Sequence, residues 1–492
     1  MQPIARQSLL TTISSYIGVL IGYFNVLWLL PFVLQPDEIG LFRTLQDMAL
    51  LLVPIAQLGI GNGITRFFPL VKEKMYAFFT LSLLLTLVGF LVVAALFLIY
   101  KNYVIAAFAV NSPEVIDFLG VVLFITLFSV MNTILEAFCR SFMKIAVPTF
   151  FREVFNRFLV AALIGLYFLE WLNFDQMIWG LAGLYLLTVG GMLIYMLRIE
   201  IFKLDFDFAS FPEGFRSEFM KYSLITLLGT AGSVLIMKID SLMVSSMIGL
   251  DANAIYTIAF SIAIVIELPR RAISQVAMPV IAEHFAKDEH TEINKLYKNV
   301  AVHQFLICLL LFLGIWSNID NLYHFVPNNV IYETGKWVVL WIGLAKMADI
   351  LFSINGEIIV FSKYYIFNIT ATLIMCVAVV VLNLLLIPIY GIEGAAVASF
   401  MSLLFYNLIK YVYLKFRLGF DPFSIDIFKI LILGVMTYFL QLFLLQSMQV
   451  GLTDIILRSM VVTLIYFAGV YLMGIAKESQ KSILQKVKRP RP

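Results

Sequence analysis

Apolar runs of about 20 residues recur along the whole chain, and this pattern limits the fold more than any other feature. A run of that length spans the hydrocarbon core of a bilayer as a helix. A helix also satisfies its own backbone hydrogen bonds where no water is present. Fourteen runs are read, near 9–34, 44–70, 76–100, 116–138, 149–169, 177–197, 222–248, 254–281, 300–317, 335–360, 365–387, 392–414, 427–446 and 455–475. Composition agrees: the 492 residues are 62% hydrophobic and 13% charged, against about 45–50% and about 25% in soluble domains. The expected fold class is an all-α polytopic membrane protein of about 14 transmembrane helices. A net charge of +3 is too small to imply a nucleic-acid partner.

Arg6 precedes the first run, which is too long for the apolar part of a signal peptide and reads as a first span. Orientation follows from the Lys/Arg bias between spans. With the N-terminus inside, inner segments hold 25 Lys and Arg, Lys410 among them, and outer segments hold 4 (Arg43, Lys101, Lys336 and Arg458). Both termini are therefore expected to be cytoplasmic. Cys139, Cys308 and Cys376 are scattered through apolar segments and suit neither a metal site nor a disulfide framework. The Asp-x-Asp of KLDFDFAS (203–210) lacks a surrounding nucleotide-binding domain and reads as a surface amphipathic stretch.

Weak internal matches occur in order. PDEIGLFRTL (36–45) resembles LDANAIYTIA (250–259), and IWGLAGL (178–184) resembles IEGAAVA (392–398), each 214 residues apart. LFSVMNTILEAF (127–138) resembles LFSINGEIIVF (351–361). Two related six-helix lobes are expected, 1–198 and 222–414, joined by a linker at 199–221. Two further spans follow at 415–476, then a basic tail at 477–492. Repeated halves place a transporter's substrate site at their interface near the bilayer midplane.

Charges interrupt the runs at mid-depth. In AFSIAIVIELPRRAISQVAMPVIA (259–282), Glu267 falls near the centre of span 8 and Arg270 about 4.5 Å from it along the axis. Glu267, Arg270 and Arg271 share one helical face at i, i+3, i+4, and Pro269 loosens that turn. Lys238 and Asp240 lie near the centre of span 7 and, at i, i+2, point apart. Lys346 and Asp349 share a face of span 10, with Glu357 beyond; Glu136 and Arg140 share a face of span 4. Such residues cost about 2.5–3.5 kcal/mol or more each and usually face a cavity or a partner. Two arginines against Glu267 leave a positive surplus, and Arg suits phosphate. The same pattern would arise from ion pairs that hold helices in register, so both readings stand.

The turns carry a family resemblance. MKIDSLMVSSMIGLDANAIYTIAFSIA (237–263), followed by AMPVIAEHFAKDEHTEINKLYKN (277–299), resembles the span 7–8 region of bacterial polysaccharide, or O-antigen, flippases. LIPIYGIEGAAVAS (386–399) resembles their span 11–12 turn and LQPDEIGLFRTLQD (34–47) their span 1–2 turn. Asn253 and Ala254 stand where a glycine is usual. These flippases belong to the multidrug/oligosaccharidyl-lipid/polysaccharide exporter superfamily. The resemblance implies transport without chemistry, with no cofactor and no metal. A polyprenyl-diphosphate-linked oligosaccharide, on undecaprenol, would pass from the cytoplasmic to the periplasmic leaflet of a bacterial inner membrane by alternating access. Arg270, Arg271 and Lys238 would receive the diphosphate. Asp240, Glu267, Asp349 and Lys346 are candidates either for coupling to H⁺ or Na⁺, Asp240 and Asp349 foremost, or for structural ion pairs. A lipid II-type flippase and a small-molecule exporter share the implied fold. A glycan polymerase would usually carry a large outer loop, and the outer segments here are short.

Overall fold

A computed structural model describes residues 3–445 and 449–475; the basic tail read at 477–492 lies outside the described residues. Among those residues every regular element is a helix. In chain order the long ones are α1 (Leu9–Val33), α2 (Pro36–Ala56), α3 (Ile60–Ile99), α4 (Leu119–Ser141), α5 (146–168), α6 (Phe174–Arg198), α7 (Phe215–Met247), α8 (Leu250–Ala286) and α9 (His290–Ser317). There follow α10 (Asn329–Leu351 with Asn355–Phe361), α11 (Tyr365–Leu418), α12 (Ile425–Leu444) and α13 (Leu452–Leu472). The protein is an all-helical, multi-pass membrane protein.

Eleven of the described helices are long and apolar enough to cross a membrane, or twelve with the bent α10 counted as one span. The difference from fourteen has two sources. α5 carries Arg152, Glu153 and Arg157 within its length and is not one of the eleven. α11 is 54 residues long and holds two expected spans, 365–387 and 392–414. Between them Gly391 adopts φ +59, ψ −137, a conformation open to a residue without Cβ, and turns the run. α2 begins at Pro36, eight residues before the expected 44. Pro stands in its first turn, and Glu38 Oε2 accepts from the Gln35 amide at 2.9 Å, which pins the start.

The chain forms two compact units, Met1–Thr257 and Ile258–Pro492. The first packs an aromatic core in which Phe67, Phe78, Phe215 and Phe219 meet edge to face at 5.0–5.8 Å. α7 lies along α2 through a polar seam: Thr44 Oγ1 and Ser245 Oγ are 2.6 Å apart, Asn253 Nδ2 donates to Thr44 Oγ1 at 3.0 Å, and Ser241 Oγ donates to Asn253 Oδ1 at 2.9 Å. The residue that replaces the usual turn glycine is thus a buried hydrogen-bonding node. Gly40 permits the approach, because a Cβ there would lie 2.0 Å from the Leu250 carbonyl oxygen.

The second unit has two apolar clusters. One gathers Ile266, Phe305, Leu309, Met347, Ile350 and Tyr466; the other gathers Ile281, Tyr297, Ile354, Ile358 and Leu414. Cys139 and Cys308 are buried in their respective units and Cys376 is half-buried. The Asp-x-Asp segment is non-helical; Asp207 pairs with Lys74 at 3.4 Å, and Asp205 Oδ1 accepts from the Asp207 amide at 3.0 Å.

Replacing Gly40 by Ala is expected to destabilise the protein by about 1–3 kcal/mol, the usual cost of overpacking, because backbone rather than a flexible side chain must move. Thermal unfolding in detergent checks this. Gly183→Ala, where a Cβ meets nothing within 4 Å, should leave the midpoint unchanged.

Candidate functional site: a buried charge cluster between broken helices

Two helices of the second unit break where their charges lie. Pro269 cannot donate a backbone hydrogen bond, and its ring crowds the turn before it. α8 accordingly tightens to a 3-10 turn at Ile264–Glu267 and restarts at Leu268. α10 bends by 46° between Leu351 and Asn355, where Ser353 takes φ +54. Breaks free backbone carbonyls that need new donors. Tyr297 Oη donates to the Phe352 carbonyl at 2.9 Å, and Arg270 Nη2 donates to the Ser353 carbonyl at 3.2 Å.

The charges pair across helices. Arg270 Nε lies 3.2 Å from Asp349 Oδ2, and Nη2 lies 3.9 Å from Glu357 Oε1. Arg271 Nε donates to Glu267 Oε1 at 3.0 Å, and Lys346 Nζ stands 2.8 Å from Glu267 Oε2. The Arg270–Asp349 approach lacks the alignment of a hydrogen bond, so it is a charge contact held by its neighbours. Asn407 Nδ2 donates to Asp349 Oδ1 at 2.9 Å, and Asn355 Nδ2 donates to Asn407 Oδ1 at 3.0 Å. Gln304 accepts from Ser353 Oγ at 2.7 Å. α8, α9, α10 and α11 all contribute.

Several sequence readings change here. Lys346 and Asp349 do not pair at i, i+3, because each meets a closer opposite charge on α8. Glu267 is shared by Arg271 and Lys346, while Arg270 turns to α10. The surplus expected from two arginines against one acid disappears among these six groups: Glu267, Asp349 and Glu357 face Arg270, Arg271 and Lys346. The two arginines also differ. The Arg270 side chain is 14% exposed and that of Arg271 44%, so Arg271 keeps an open side.

The other candidates lie in the first unit. Lys238 Nζ pairs with Asp47 Oδ1 at 2.6 Å, joining α7 to α2. Asp240 is buried and accepts from Tyr256 Oη at 3.0 Å. As the i, i+2 spacing requires, Lys238 and Asp240 have different partners. Glu136 pairs with Arg152 of α5 at 2.7 Å rather than with Arg140. Lys238 and Arg270 belong to separate units. Gln304, Asn355 and Asn407 escaped the sequence reading because only charges were sought in the apolar runs; amides inside spans were the available signal.

The fold is shared with solved membrane transporters. It matches a lipid II flippase, MurJ, in an inward closed conformation, with TM-score 0.73 at 14% identity, over 94% of this chain and 98% of that one. It also matches a multidrug resistance MATE family transporter of the MOP superfamily in an inward-facing conformation (TM-score 0.59, 14% identity, 83% and 94% covered) and in an outward-facing one (0.58, 12%, 85% and 95%). At these identities the likeness is one of fold. No curated protein matches the sequence. Residues 4–285, more than half of the chain, match the model of the polysaccharide biosynthesis protein family. The chain belongs to that family, in agreement with the resemblance carried by its turns.

Removing one partner of a buried pair leaves an uncompensated charge. Asp349→Ala is expected to destabilise by about 3 kcal/mol. The double change Arg270→Met/Asp349→Leu should cost less than the two single changes summed, a coupling measurable by thermal unfolding in detergent. Strict additivity would show that the two side chains act independently.

Proposed function

We propose that this protein is a flippase that moves a polyprenyl-diphosphate-linked oligosaccharide across a bacterial inner membrane for surface polysaccharide synthesis. The observation that carries the reading is a cluster of paired arginines and acids at coincident breaks of α8 and α10, in a chain of the polysaccharide biosynthesis family. Broken helices expose carbonyls and charges where transporters bind polar substrates. A diphosphate suits them: it accepts several hydrogen bonds, and Arg offers a planar donor fork.

In this reading the head group enters near Arg271, whose side chain keeps an open side, and exchanges with the acids that hold Arg270. Ground-state pairs with Asp349 and Glu357 keep Arg270 from standing as a lone charge when the site is empty. Lys238, held by Asp47 in the first unit, is a further candidate for a diphosphate. Asp349 and Asp240 are the candidates for coupling to H⁺ or Na⁺. The two sequence-related lobes, 1–198 and 222–414, would alternate access, with the linker at 199–221 and both termini in the cytoplasm. α12 and α13, with the tail, are additions to that plan. A lipid II-type glycan is the second reading.

Cells lacking the protein are expected to lose surface glycan and to accumulate its lipid-linked precursor on the inner side. Wild type should restore the glycan, while Arg270→Ala/Arg271→Ala at matched membrane abundance should not. Surface glycan and precursor both unchanged on deletion would overturn the assignment.

A further inference from the structure

The six charges of the α8–α10 cluster balance, and a seventh stands beside them. Lys410 on α11 is 4% exposed. Its Nζ sits 3.9 Å over the Tyr406 ring, and among the described residues no carboxylate lies within 4 Å of it. Gly356, the residue before Glu357, leaves the room: a Cβ there would lie 3.1 Å from Lys410 Nζ and 3.8 Å from Asn368 Oδ1. That amide oxygen is buried and has no hydrogen-bond partner. An ammonium with three donors and an unused acceptor therefore flank one point of bare backbone, a residue away from the acid that faces Arg270.

Burying an ammonium without a counter-charge is costly, and the face of a tyrosine offsets only part of that cost. Snorkelling does not apply, since the side chain ends inside the protein rather than at a polar surface. A group kept at such cost has its partner elsewhere. The ligand that matches both flanking atoms carries acceptor oxygens beside hydroxyl donors, which is the chemistry of a sugar joined to a phosphate.

We propose that Lys410 receives a phosphate oxygen of the lipid-linked head group and Asn368 a hydroxyl of the sugar attached to it. The proposal rests on the flippase reading and deepens it. Lys410 supplies the positive charge that the compensated arginines do not.

Purified protein in detergent is titrated with a short-chain prenyl diphosphate and with the same lipid carrying one sugar. Lys410→Met should weaken both about tenfold or more, and Lys410→Arg should keep both near wild type. Asn368→Val should weaken only the sugar-bearing lipid. Without ligand, Lys410→Met should melt at or above the wild-type temperature, because it removes an unpaired buried charge. Wild-type binding of both lipids by Lys410→Met, or a lowered melting point with binding intact, would overturn the assignment and leave Lys410 structural. Failure of wild type to bind either lipid would instead overturn the head-group reading itself.

Discussion

An ionised side chain inside a membrane bundle is costly unless it meets an opposite charge or a freed backbone dipole, and the α8–α10 cluster of the second unit is arranged around that demand. Glu267 holds Arg271 and Lys346 together, and Arg270 spans from α8 to the two acids of α10. The breaks in both helices are part of the same solution. They release the carbonyls of Phe352 and Ser353, which Tyr297 and Arg270 then satisfy. An unbroken α10 would offer Arg270 no such acceptor.

The first unit meets a similar demand with a different device. Its α2–α7 contact is a seam of hydroxyls and one amide, closed by the Lys238–Asp47 pair. Close approach at Gly40 makes the seam possible. Small and polar residues are the usual means by which helices associate when apolar burial gives no preference between lipid and protein. Each unit therefore places polar groups where a plain hydrophobic bundle would place leucine.

Much of this was legible in the sequence. Run lengths gave the membrane class, the turns at 34–47 and 237–263 gave the family, and Pro269 marked the break in α8. The bend in α10 was not legible, since nothing in LFSING distinguishes Ser353, held at φ +54, from an ordinary helical serine. Partner choice was also hidden. Spacing rules weigh residues of one helix, whereas Lys346, Asp349 and Glu136 find closer charges on other helices. Lys410, counted with the inner basic residues, is buried within a helix, because position along a sequence does not report which side of a helix meets protein. Asn253, a departure from the family turn, proved to be a buried structural contact.

The most direct measurement is transbilayer movement of a labelled polyprenyl-diphosphate oligosaccharide in vesicles reconstituted with the purified protein. The account predicts movement well above that in protein-free vesicles, lost when Arg270 is replaced by Met in a protein that still folds. Movement no faster than in protein-free vesicles, under an imposed H⁺ or Na⁺ gradient as well as without one, would contradict it.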